Sequence, residues 1–248
     1  MKKTCQFTYG RLVNLALSLA KERQRVGLLD ADLFGPSLPR MMNLFGESSR
    51  PVLSSEKMIK PVLAYGIECM SMGLLQSRDG SIVWRGLMVQ KGVEQLLFQV
   101  QWGDLDYLII DLPPGTGDTQ LTLCQQAQVD GVVLVSTPQQ VAISDARKAA
   151  DMFKLLQVPL LGVVENMNEF ICPHCKESSH IFTPEASKPA IKHFCEELQV
   201  PLITSLPIDP LLCTGSDQGV PLILAHPKHL ISEKFTQIAR FLLSREKK

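Results

Sequence analysis

Five short apolar runs, Arg25 to Leu29, Tyr107 to Ile110, Gly131 to Ser136, Pro159 to Glu165 and Pro201 to Leu206, alternate with longer segments whose apolar residues recur at helical spacing. Runs this short and this apolar read as strands buried on both faces. Strands of that kind pair in parallel when helices separate them, because a parallel pair needs a crossover long enough to hold a helix. The expected fold is therefore α/β, a doubly wound, mostly parallel sheet with helices on both faces. Helices are expected over Leu12 to Gln24, near Leu38 to Leu44, and over Leu87 to Val100, Thr119 to Gln126, Val141 to Leu156, Ala186 to Gln199 and Glu233 to Ser244. Two shorter extended pieces fall at Lys60 to Leu63 and Gly66 to Ser71. The polar stretch 46–57 reads as a surface excursion rather than a boundary, so residues 1–248 are expected to form a single domain.

In such sheets ligands bind beyond the carboxyl ends of the strands, so the residues that follow each strand carry the functional signal. Asp111 ends one strand and leads straight into Leu112 and the run PPGTGD, residues 113–118. A carboxylate there can hold nucleotide-bound Mg²⁺ as a Walker B aspartate does, or it can simply cap the next turn. Gly115 and Gly117 allow the backbone to approach a phosphate closely. Asp30 and Asp32 stand at a second strand end, and alternation along an extended chain would put both on one side, facing one metal ion and its water.

Cys172 and Cys175 lie in a loop after the strand that ends near Glu165. Two thiolates three positions apart can reach one metal centre, but they supply only two of the four ligands usual for an iron-sulfur cluster or structural zinc. On the residues alone the pair reads as cluster ligands, as a zinc site completed by His174 or His180, as a thioredoxin-like redox pair, or as two surface thiols. The other five cysteines read as small apolar fillers, and the scattered total of seven shows no disulfide framework, which suits a reducing compartment.

The charge balance, 25 Lys+Arg against 25 Asp+Glu, offers no electrostatic footprint for nucleic acid. No apolar run approaches the ~18 to 20 residues that span a bilayer. The amino terminus lacks the apolar stretch of a secretory signal. Arg11, Lys21, Arg23 and Arg25 among leucines faintly suggest a transit peptide, but Glu22 and the direct run into a strand favour a folded helix.

Taken together, DADLFGPSLPRMM (30–42), Trp84-Arg85-Gly86, PPGTGD, VSTPQQVAISDARKAADMF (135–153), Glu165-Asn166-Met167 and Cys172-Pro173-His174-Cys175 resemble, in this order, the Mrp-type P-loop ATPases that carry iron-sulfur clusters. The likeness is strongest to the mitochondrial branch that serves assembly of respiratory complex I. The resemblance implies a SIMIBI-type P-loop NTPase fold and a homodimer joined through the CxxC loop, residues 167–182, with a 4Fe-4S cluster bridging Cys172 and Cys175 of both copies. It also implies Mg-ATP as a ligand, with Asp32 positioning the attacking water, Asp30 supporting the metal shell, Asp111 as the Walker B residue, Gly115 as a backbone donor and Asn166 as a reader of adenine. Without the resemblance, Asn166 reads as the end of its strand. Acceptors would be apo iron-sulfur proteins, complex I subunits among them, and the location the mitochondrial matrix or otherwise the cytoplasm.

One expected piece is missing. A P-loop ATPase needs a glycine-rich loop ending in Lys-Ser/Thr before the helix whose amino terminus faces the phosphates. Here residues 4–12 read TCQFTYGRL, and none of the sixteen glycines is followed by lysine. Tight ATP binding and hydrolysis are therefore not expected of this sequence, which a truncated isoform or an incomplete gene model would explain equally well. Cys5 to Tyr9 alternate and are rich in β-formers, so they can take the slot of the strand before that loop, with Gly10 as the turn. Two other functions stay open: a partition-type ATPase of the MinD and ParA kind, and a non-catalytic paralogue that heterodimerises with an intact copy.

Overall fold

Side-chain alternation along the strands builds two cores, one on each face of a central sheet. The computed structural model describes residues 2–5, 11–32, 35–46, 49–75, 87–113, 117–182 and 190–245. On β2 (Val26–Asp30), Leu28 enters one core and Leu29 the other; on β5 (Tyr107–Asp111), Tyr107 and Ile109 face the first, Leu108 and Ile110 the second. β6 (Gly131–Ser136) divides Val133 from Val132 and Leu134 in the same way. Burial on both faces is what makes these runs continuously apolar.

The first core is closed by α1 (Arg11–Lys21), α9 (Leu222–Ala225) and α10 (Leu230–Ser244), where Phe235 is wholly buried. The second is closed by α4 (Leu87–Phe98), α5 (Asp118–Gln126), α6 (Gln140–Leu155) and α7 (Ala190–Leu198). The short helices α2 (Leu38–Met41) and α3 (Met72–Leu75) follow the carboxyl ends of β2 and of β4 (Ile67–Ser71).

The strand order is β3-β4-β2-β5-β1-β6-β7-β8, with β9 (Leu202–Ile208) also paired to β7 (Leu160–Ile171). β3 (Val62–Ala64) and β8 (Ser178–Ser179) pair antiparallel and every other pairing is parallel, so the doubly wound expectation holds. The central slot holds β1 (Lys2–Cys5), which pairs β5 and β6; of the expected Cys5 to Tyr9, Cys5 lies in this strand. Residues 6–10 lie outside the described residues. The register puts Cys5 opposite Asp111, at the carboxyl edge, and leaves five residues to reach α1 at Arg11.

Between β9 and α10 the chain also forms α8 (Pro210–Gln218) and α9, neither of which the apolar pattern announces. The local signals are capping ones: the Asp209 carboxylate accepts from Leu211 N, Pro210 takes the first helical position, and Gly219 ends α8 at φ +69°. The Tyr65 hydroxyl donates to Gly219 O at 2.6 Å, tying the β3–β4 turn to this cap. A Cβ at Gly219 would stand 2.7 Å from Asn43 Cβ and 2.8 Å from Arg40 O, in a backbone conformation that side chains resist. Gly219→Ala is therefore expected to lower unfolding free energy by about 1 to 3 kcal/mol, readable by urea denaturation; unchanged stability would refute the fit described.

Candidate functional site

The carboxyl edge of the sheet collects the aspartates singled out in the sequence. Asp30 is in register with Ser71 on one side and Asp111 on the other, so three strands deliver polar side chains to one line. Asp30 is buried, and its oxygens serve the loop that follows: Oδ1 accepts from Asp32 N (3.1 Å), while Oδ2 accepts from Ser37 N (3.1 Å), Leu38 N (3.2 Å) and Ser71 Oγ (3.1 Å). β2 stops at Asp30, so alternation does not carry through to Asp32, and the two carboxylates are not equivalent. Asp30 anchors the loop, and Asp32, half-buried, accepts from Gly35 N at 3.2 Å. Asp111 is half-buried, and its carbonyl accepts from Ala31 N at 2.9 Å, joining the two aspartate-bearing strand ends. The buried Gln120 donates to Pro113 O at 2.7 Å and pins the start of the Pro/Gly loop. Gly115 and Trp84-Arg85-Gly86 fall outside the described residues.

Burial pushes the Asp30 carboxyl up to about 6, against the pull of its hydrogen bonds. The native chain thus keeps this proton to higher pH than the unfolded chain, whose aspartates ionise near ~4. Between those values the folded state binds more protons, so this group's contribution to stability falls as pH rises. Relative to an Asp30→Asn variant, the wild type should lose roughly 2 to 3 kcal/mol between pH 4 and pH 7. Urea unfolding of both proteins across that range checks it, and parallel profiles would contradict it.

Asn166 is buried in β7, opposite Leu206 of β9. β7 does not stop near Glu165 as expected but continues to Ile171 and turns back through β8, so Cys172 and Cys175 occupy the tip of a β-hairpin. The tip is closed by Cys172 N donating to Glu177 O (2.9 Å) and Lys176 N donating to Cys172 O (3.0 Å), with Lys176 left-handed at φ 64°. The Cys172 thiol is held below its usual range by the backbone N–H of Cys175 first, then by that of His174 and by the Cys175 thiol. A thiol biased toward thiolate is the ligand form for a metal. Cys175 is exposed, both cysteines are free, and among the described residues no group of three or more His, Cys, Asp or Glu could hold a metal ion within this chain.

The two sites are separate. β5 and β7 are three strand spacings apart, about 14 Å at ~4.8 Å each. Sequence reasoning missed Ser71, whose signal was a lone hydroxyl at the end of an extended run, and the pair Ser205 and Glu165, joined at 2.6 Å across β9 and β7. Among the described residues no helix is long and apolar enough to cross a membrane.

Comparison with known proteins gives the same direction. The mouse iron-sulfur cluster transfer protein NUBPL is 44% identical over 95% of this chain and 72% of its own length. An Arabidopsis thaliana iron-sulfur protein required for NADH dehydrogenase, mitochondrial, is 42% identical over 92% of this chain and 71% of its own. The ADP complex of a nucleotide-binding protein from Archaeoglobus fulgidus superposes with a TM-score of 0.71 at 35% identity, covering 88% of this chain and 86% of that one. The family described as ParA, NUBPL iron-transfer P-loop NTPase, matches residues 11–243, and with those identities the chain belongs to it.

Proposed function

We propose that this chain is an iron-sulfur cluster carrier. Two copies hold one 4Fe-4S cluster between Cys172 and Cys175 of each and pass it to an apo iron-sulfur protein, subunits of respiratory complex I among them, in the mitochondrial matrix. The chain acts as a single domain, residues 1–248, with the cargo loop at 167–182. The observation that carries this reading is the exposed hairpin tip, which presents two thiols and finds no third ligand among the described residues. A two-fold axis supplies the missing pair without any further site, because the same two side chains arrive from the second copy. The relatives' names, cluster transfer in mouse and NADH dehydrogenase in Arabidopsis, point to cargo and acceptor.

Mg-ATP fits only in part. Asp30, Asp32 and Asp111 form the metal side of a nucleotide site, with Asp30 acting through the loop amides rather than through a free carboxylate edge. The phosphate side lacks its Gly-Lys. Asp32 as the residue that positions water, Asp111 as the metal holder, Gly115 as a donor and Asn166 at the adenine remain the roles we assign to a chain with that loop.

Anaerobic reconstitution with ferrous iron and sulfide is expected to give about four irons per two chains and a dimer that reverts to monomer on chelation. One iron or zinc per monomer would sink the bridging cluster.

A further inference from the structure

We propose that the cysteine hairpin is hinged on the sheet at a break in the β7–β9 ladder, and that motion about this hinge sets how readily metal held by Cys172 and Cys175 is given up. The second half of this inference rests on the carrier reading; the first does not. The break is visible in the register. Asn166 pairs with Leu206 and Phe170 with Ile208, so three residues of β7, Met167 to Glu169, face the single Pro207 of β9. Proline has no N–H to give to a ladder, and a strand opposite such a gap can take up extra residues as a bulge. Met167 lies within it at φ 55°, a conformation that a side chain disfavours.

Polar groups in the bulge are poorly used. The Oδ1 of Asn168 is buried with no hydrogen bond among the described residues, and its Nδ2 meets Glu169 Oε1 only at 3.5 Å. Beyond the bulge, among the described residues, Phe170 pairs with Ile208 and Ser179, Ile171 pairs with Ser178, Cys172 N donates to Glu177 O, and His180 Nδ1 lies 3.1 Å from Asn168 O. Before it, Val163 to Glu165 pair with both β6 and β9, with a one-residue slip of β9 between Leu202 and Thr204, and Asn166 pairs with Leu206. A segment with a firm base, an interrupted ladder and an exposed tip opens locally at lower cost than the sheet that carries it. The bulge adds two residues, an even number, so it leaves the inward and outward sense of the strand intact. It can thus flex without exchanging the faces of Phe170 and Ile171.

The test uses two variants of the full chain. Pro207→Ala restores an N–H to the residue opposite the bulge; the second variant adds deletion of Met167 and Asn168, which restores one residue opposite one. In the metal-free wild type, amides of residues 170–179 are expected to exchange hydrogen at least about tenfold faster than those of 163–165. That gap should narrow in Pro207→Ala and close in the deletion variant. Equal exchange on the two sides of the bulge in the wild type, or exchange unchanged by both variants, overturns the hinge. After reconstitution, a chelator should extract iron more slowly in the same order of variants, with unfolding midpoints reported alongside. Slower exchange with unaltered extraction overturns the link to release. Failure of the wild type to take up iron at all would count against the carrier reading, while the exchange experiment still decides the hinge. Should the deletion variant not fold, Pro207→Ala alone carries both comparisons.

Discussion

A chain carrying both Cys172→Ala and Cys175→Ala is expected to bind no cluster and to remain monomeric under reconstitution, while unfolding at the wild-type midpoint. The asymmetry follows from position. Both side chains sit at the tip of a hairpin, and residues 173–180 around it are exposed, so truncation opens no cavity; surface changes of this kind stay within about 0.5 kcal/mol. On the proposed bridging the effect on metal is total, because two cysteines from each of two copies would make all four ligands. Either single variant should already fail to hold the cluster stably, since symmetry turns one lost thiol into two. Cys172→Ala should be the more damaging to initial uptake, because Cys172 is the thiol that the backbone N–H groups of Cys175 and His174 hold toward thiolate. Iron and sulfide analysis after desalting, with mass by light scattering, reads all of this. Iron content equal to wild type in the double variant would remove the hairpin from the function.

The sheet was readable because its strands are buried on both faces, and such burial writes itself into the sequence as short apolar runs. β2, β5 and β6 fall where those runs stand. What could not be read was written in polar or backbone terms. β7 continues six residues past Glu165 through the buried Asn166 and the half-buried Asn168 and Glu169, polar positions that no apolar period records, so the cysteine loop proved to be a hairpin. β1 begins with two lysines, which local propensity would not seat in a central slot; the need to pair both β5 and β6 outweighs it. α8 and α9 are marked by caps and by Gly219 rather than by periodicity. At the site, the aspartates were visible at their strand ends, but the division of labour between them was not. That Asp30 spends its oxygens on Asp32, Ser37, Leu38 and Ser71 depends on where the strand stops and on a neighbour 41 positions away.

The second large effect concerns nucleotide. Calorimetry of this chain with ATP and Mg²⁺ is expected to show binding weaker than in relatives that carry the loop by a factor of roughly thirty to a few thousand. The range comes from the missing lysine alone: removing one partner of a buried charge pair costs about 2 to 5 kcal/mol, and each ~1.4 kcal/mol is tenfold. Lost backbone donors from a glycine-rich loop add to it. Hydrolysis should fall further, since phosphates that are not held cannot be presented to water near Asp32. Tight, Mg²⁺-dependent binding by the purified chain would contradict the prediction. A positive control follows from the geometry. On the proposed nucleotide site the metal side would already be in place at the carboxyl edge, where Asp30 fixes the loop that bears Asp32 and Asp111 stands one strand away. Replacing residues 1–10 with a strand that ends in a Gly-rich, Lys-Ser loop running into Arg11 should therefore restore nucleotide binding. Thermal unfolding reads it directly: ATP at a hundred times the restored Kd adds about 2.7 kcal/mol to the grafted chain and nothing comparable to the original. If the graft folds but stays blind to nucleotide, the aspartate edge is not the metal side of a nucleotide site, and the cluster chemistry at the hairpin must stand without it.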